Sequence, residues 1–159
     1  VPFDFSTHSK RALGKAIDIA ASFGARLTAI HIIEDRFHPA FYGPFFQSIH
    51  DLDPNIHEKA IAHLEEEVAR LDNQGVQIDV AAIQGHPGTA IASFAAKHGA
   101  DLIVMSTHGL TGLERLSFGS VAERTLCEAT CPVLTLRAET VETTGGQPLK
   151  MKGFGAERV

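Results

Sequence analysis

Apolar and polar positions along the chain switch repeatedly between two rhythms. In "THSKRALGKAIDIAASFG", Ala12, Leu13, Ala16, Ile17, Ala20 and Phe23 recur at helical spacing and give one apolar face. Ser6 stands where an N-terminal cap is expected, and Gly24 where the helix stops. The run "ARLTAIHII" that follows reads as a buried strand. Asp53-Pro54 predicts a second helix start, the acid as cap and the proline in the first turn. Ile61, Leu64, Val68 and Leu71 carry its apolar face. Glu65, Glu66 and Glu67 are expected on its solvated side, with Glu66 placed to pair with Arg70 one turn on. Gly75 is read as the stop of this helix, and "VQIDVAAI" as the next strand. Gly85 and Pro87 turn the chain into a short helix, "TAIASFAAKHG", stopped by Gly99. "DLIVMST" is the most apolar strand, "SVAERTLCEAT" a last helix and "PVLTLR" a last strand. The opening "VPFDF" is a short strand that ends in an acid.

Five strands thus alternate with four helices, the pattern of parallel βαβ units with right-handed crossovers. The fold class is α/β, a doubly wound open sandwich around a five-stranded parallel sheet. Two segments break the rhythm. Residues 35–53 hold Phe37, Phe41, Tyr42, Phe45 and Phe46 beside Pro39 and Pro44, with no clean period. Such a segment is a lid, a contact surface or a loop folded over the core edge. Residues 138–159 are rich in glycine and threonine and also lack a period. They are read as a polar tail, disordered or docked on a partner, after one domain of residues 1–137.

Composition narrows the function classes. The chain has 159 residues, 44% hydrophobic and 21% charged, which suits one domain with a sizeable core. A net charge of −5 argues against a nucleic-acid partner held through phosphates. No apolar run approaches the roughly 18 residues of a membrane span. No secretory pattern is visible, so a cytoplasmic setting is expected. Cys127 and Cys131 make neither a disulfide framework nor a zinc ligand set. The nine histidines are scattered, and no metal site is expected from them.

In an open α/β sheet a ligand binds at the carboxyl ends of the strands, where strand order reverses. Two strands end in unusual chemistry here: the first in Pro2-Phe3-Asp4, the fourth in Ser106-Thr107-His108-Gly109. In "MSTHGLTGLERLSFGSV", nine residues separate Gly109 from Gly119, and Ser120 follows. Glycines let a backbone approach an anion, and a helix start offers free N–H groups and a positive dipole end. Ser120 and Glu123 are spaced as a capping box, so the helix is expected to begin near Ser120. Spacing alone leaves two readings open: a phosphate loop, or a turn whose serine caps a helix. The chain contains no P-loop pattern, no G-x-G-x-x-G after the first strand and no G-x-S-x-G elbow.

The motifs "VPFDFS", "LTAIHII", "GHPGTAI", "DLIVMSTHGLTG…FGSVAERTL" and "CPVLTLR", in this order, resemble a universal stress protein domain. The resemblance covers residues 1 to about 137. It is similar to the ATP-binding branch, whose pattern is G-x2-G-x9-G-[ST]. Gly109, Gly119 and Ser120 match, and Ser106 stands where the first glycine would be. The resemblance implies strand order 3-2-1-4-5 and an ATP pocket with magnesium as an optional companion of the phosphates. It assigns Pro2 and Asp4 to the ribose or a phosphate-bound metal, and Ile32 to adenine. It places Met105, Ser106, His108, Gly109, Gly119, Ser120 and Val121 along the rest of the pocket. It also implies a homodimer through the last strand, residues 132–137. Three functions follow from it: a nucleotide-binding stress module, a slow ATPase in which Asp4 or His108 serves water, or a dimeric interaction protein without nucleotide.

Overall fold

The computed structural model describes residues 1–34, 54–107 and 119–137. The aromatic segment 35–53, the motif positions His108 and Gly109, and the tail 138–159 lie outside the described residues.

Among the described residues four helices and four strands alternate: α1 (Thr7–Phe23), β1 (Leu27–Ile33), α2 (Ile56–Ala69), β2 (Ile78–Gln84), α3 (Pro87–Lys97), β3 (Ile103–Ser106), α4 (Ser120–Glu128) and β4 (Val133–Leu136). Strands pair in parallel as β1 with β2 and β3 with β4, in register Leu27 to Ile78 and Ile103 to Val133. The opening segment joins β1 through a parallel bridge between Pro2 and Ile30. Among the described residues the strands thus form two pairs and one bridge, and the expected single five-stranded sheet is not shown.

Backbone alternation shows how β1 serves both edges. In a parallel ladder one residue turns its N–H and C=O to the same side, and the next turns them to the other. Leu27 and Ile33 bond to Gln77 and Gly85 on the β2 side. Thr28 and Ile30 face the opening segment: Ile30 N–H donates to Val1 O at 2.8 Å and Phe3 N–H to Ile30 O at 2.7 Å. The Val1 nitrogen donates to Thr28 O at 2.7 Å.

Side chains alternate across the sheet and feed two cores. On one face Phe3, Leu27, Ala29 and Val104 pack with Leu13, Ala16 and Ile17 of α1 and Leu64 of α2. On the other, Ile30, Ile103 and Met105 pack with Ile91 and Ala95 of α3 and Ala122 of α4. Helices thus cover both faces, which explains why β1 and β3 are mostly apolar rather than strictly alternating.

Helix α1 begins as the sequence indicates. Ser6 Oγ accepts from Ser9 N–H at 3.1 Å, and Gly24 takes a left-handed conformation, φ 63°, at the C-terminal cap. Phe23, expected on the apolar face, is 82% exposed. It stands at the last position of the helix, where no further helical turn follows to carry it over the core. Helix α2 starts at Ile56 with Asn55 as cap, later than Asp53-Pro54 indicates, and ends at Ala69, well before Gly75. Asn73 Oδ1 accepts from Gly75 N–H in the turn that links α2 to β2.

The Glu66–Arg70 pair forms, at 3.8 Å. Glu67, expected in solvent, is buried, and this is a correction with a clear cause. Its carboxylate meets Lys10 Nζ of α1 and Arg70 Nη1, each at 2.5 Å. A charge buried on this face requires a partner, and α1 supplies one across the helix interface. The hydrogen bond from Lys10, aided by the charges of Lys10 and Arg70, holds the Glu67 carboxyl below its ordinary value of 4.5, against an opposing effect of desolvation. A depressed carboxyl stabilises the fold above the unfolded-state pKa and loses that contribution as pH falls through the lower folded value. Glu67→Gln is therefore expected to lower the urea midpoint near neutrality and to flatten its decline as the pH drops below 4.5. Urea titrations of both proteins across that acid range check this.

Candidate functional site

The end of β3 meets the start of α4, and the opening segment runs beside β1. Pro2 and Asp4 leave β1 on its free side, because Val1 and Phe3 spend their backbone groups on β1. Asp4 ends the strand in a tight turn: its Oδ1 accepts from Ser6 N–H at 3.1 Å. Ile32 and Val121 each pack against the core cluster on the α3–α4 face that contains Met105. The structure therefore brings together Ile32, Met105 and Val121, residues from three separate elements. Met105 itself is buried, 4% exposed, so its side chain is first a core residue.

β3 sorts its residues by side. Met105 turns to α3 and α4, whereas Ser106 turns to α1. There Ser106 lines an open groove of about 480 Å³ with His8, Arg11 and Lys15 of α1, Leu136 and Arg137. The groove holds three basic side chains against one acid, Asp18, in a chain whose net charge is −5.

A short backbone contact ties β3 to α4. Gly119 N–H donates to Thr107 O at 2.9 Å, and Thr107 N–H donates to Leu136 O at 3.0 Å. A Cβ on Gly119 would stand 2.8 Å from Thr107 O. The glycine is thus required by the fold, whatever it also does for a ligand. Its φ of −69° is ordinary, so close approach and not backbone conformation is the reason.

Gly119 is also the N-cap of α4, and its carbonyl accepts from Glu123 N–H. This corrects the expected capping box: Ser120 is the first helical residue, not the cap, and no side chain caps the helix. The Thr107 contact fixes Gly119 in extended backbone one residue early, which shifts the whole frame. Ser120 is exposed at the helix start, where its hydroxyl and the first amides of α4 can meet an anion.

Gly88 escaped the sequence reading. A Cβ there would meet Arg124 Cβ at 2.5 Å and Cγ at 2.6 Å, so the absence of a side chain lets α3 lie against α4. Thr125, fully buried, donates from Oγ1 to Val121 O at 2.8 Å in the same contact. Only a packing partner makes Gly88 special; the "HPGT" turn reads locally as punctuation.

Gly119→Ala is expected to destabilise the domain by about 1–3 kcal/mol, the usual cost of an overpacked contact. Thermal unfolding without any ligand checks this, and an unchanged midpoint would remove the packing role.

Comparison with known proteins agrees with this geometry. The model of the universal stress protein family matches residues 1–137. A universal stress protein of Methanocaldococcus jannaschii is 37% identical over 137 residues, which are 86% of this chain and 79% of that one. Among solved structures, universal stress protein UspA from Lactobacillus plantarum aligns with a TM-score of 0.67 at 26% identity, over 86% of this chain and 94% of that one. A universal stress protein solved in complex with cAMP aligns with a TM-score of 0.59 at 24% identity, over 86% and 93%. With the family model spanning residues 1–137 and a relative 37% identical over 137 residues, the chain belongs to the universal stress protein family.

Proposed function

We propose that this chain binds ATP across the carboxyl ends of the opening segment and β3, and works as a dimeric stress-response module. The observation that carries the reading is the joint between Thr107 and Gly119. It holds the exposed Ser120 and the uncapped N-terminus of α4, a nine-residue helix, at the end of β3. Uncapped amides and a positive dipole end favour a phosphate there.

The residues present fit the nucleotide. Ile32 and Val121 offer an apolar contact for a base, Pro2 and Asp4 border the ribose side, and Asp4 supplies a carboxylate for magnesium. Ser106, in the place of the first motif glycine, turns toward α1. It therefore leaves the Met105–Val121 side clear, and its groove adds positive charge near that end of the strand. His108 and Gly109, outside the described residues, complete the pattern in sequence only. The likeness to the cAMP complex is a likeness of fold, so the nucleotide reading rests on this chain's own residues.

The full sheet is part of the same reading. Phe3 and Val104 share one core cluster. Backbone alternation turns Pro2 and Asp4 away from β1, and Val104 and Ser106 away from β4. Pairing of these two edges would give the order β2-β1-opening segment-β3-β4, which is 3-2-1-4-5 with the opening segment as first strand, and would put Asp4 beside the end of β3. Hydrolysis requires a base or an oriented water at the γ-phosphate. Asp4 and His108 are the residues assigned to that role in the slow-ATPase variant of this reading.

Titration calorimetry with ATP and magnesium is expected to give binding for the wild type. Ser120→Ala is expected to weaken it by about 1–2 kcal/mol, the size of one hydrogen bond to a charged group. Asp4→Ala is expected to act mainly through magnesium. No heat at millimolar ATP would overturn the reading and leave the dimeric interaction protein.

Dimerisation is assigned to the last strand. Leu134 of β4 is 37% exposed, and Leu126 of α4, which precedes that strand in the chain, is 42% exposed. A last strand with exposed leucine on and beside it favours pairing with a second copy. Charged residues at Leu134 and Leu136 are expected to give monomers in sedimentation, and an unchanged dimer would move the interface elsewhere.

A further inference from the structure

Among the described residues two that are not glycine have positive φ, Phe5 at 66° and Gln74 at 51°. Gln74 lies in an exposed turn whose N–H is bonded by Asp72 Oδ1, an ordinary setting for such a backbone. Phe5 is different. A bulky aromatic resists the left-handed region, and such outliers persist only where the surroundings hold them. A glycine would take this backbone without strain. The ring must therefore supply something that a glycine lacks.

Rings from three elements hold Phe5. His63 of α2 stacks on it at 4.2 Å between centroids, with planes 6° apart. His31 of β1 lies at 4.8 Å, tilted 51°. Phe3 meets it edge-on at 5.3 Å and 88°. His31 is itself anchored: its Nδ1–H donates to Phe3 O at 2.8 Å, which fixes the proton on Nδ1 because a carbonyl only accepts.

The reversal at Phe5 has a direct consequence next to it. It folds Ser6 back so that its N–H reaches Asp4 Oδ1 at 3.1 Å, while Ser6 Oγ caps α1. The orientation of the Asp4 carboxylate is therefore set by a backbone turn that the ring stack maintains. We propose that Phe5, clamped by His31 and His63, is a positioning residue that fixes Asp4 at the nucleotide crevice and ties it to α2. The inference rests on the nucleotide reading for its purpose, but not for its geometry.

The test uses Phe5→Gly, His63→Ala and His63→Phe in the full chain. Phe5→Gly removes the ring and relaxes the backbone; His63→Ala removes one stacking partner; His63→Phe retains a stacking ring. Thermal unfolding establishes that each is folded. Titration of ATP with and without magnesium is expected to show roughly tenfold weaker binding, with a reduced magnesium effect, for the first two, the scale of support to a metal ligand. His63→Phe is expected to restore both. In the absence of nucleotide, the NMR shifts of the Asp4 carboxyl carbon and the Ser6 amide are expected to move in the first two variants and not in the third. If the wild type binds no ATP while these shifts behave as stated, the positioning stands and the nucleotide reading falls. If affinity, magnesium effect and both shifts are unchanged in Phe5→Gly and His63→Ala, the positioning role is overturned.

Discussion

The arrangement depends on one strand being used on four sides. β1 spends alternate backbone groups on β2 and on the opening segment, and alternate side chains on two cores. A parallel strand buried on both faces has no polar surface to fix its register by solvation. Register comes instead from the fit of Leu27 and Ala29 to one helix layer and of Ile30 to the other. A slip by one residue would exchange these sets and also break the bonds from Ile30 to Val1 and Phe3. Pro2, Asp4, His31 and Ile32 all take their positions from this register. The placement of the candidate site is thus a property of the sheet before it is a property of any loop.

A second joint sets the other half of the site. Gly119 touches Thr107, and Gly88 admits Arg124 from α4. Both glycines are there because another chain segment occupies the space a side chain would fill. This tempers the phosphate argument in one respect, since Gly119 would be required even without a ligand. It strengthens it in another. The same contact makes Gly119 the cap, removes a side-chain cap from α4, and leaves the helix start for an outside acceptor.

Local signals in the sequence carried the elements well where the chain itself supplies the partners. Ser6 and Gly24 bound α1 because a cap and a left-handed stop are satisfied within one turn. Glu66 finds Arg70 because helical spacing alone brings them together. Periodicity failed where a partner comes from afar. Glu67 reads as solvated by its neighbours Glu65 and Glu66, yet Lys10, distant in sequence, draws it under α1. Phe23 reads as core by period, yet it is exposed at the last position of the helix, where no further turn follows. The capping box fits the spacing of Ser120 and Glu123, yet the Thr107 carbonyl moves the cap to Gly119.

The sequence by itself determined the alternation of strands and helices and the family. Hydrophobic period and short motifs suffice for these, because each depends on neighbours within a turn or a strand. Only the tertiary structure decided which face of β3 Ser106 takes, that Gly119 and Gly88 are packing necessities, and that Phe5 holds a left-handed turn under His63. Those properties arise where segments far apart in the chain compete for the same few ångströms, and excluded volume between them has no signature in local spacing.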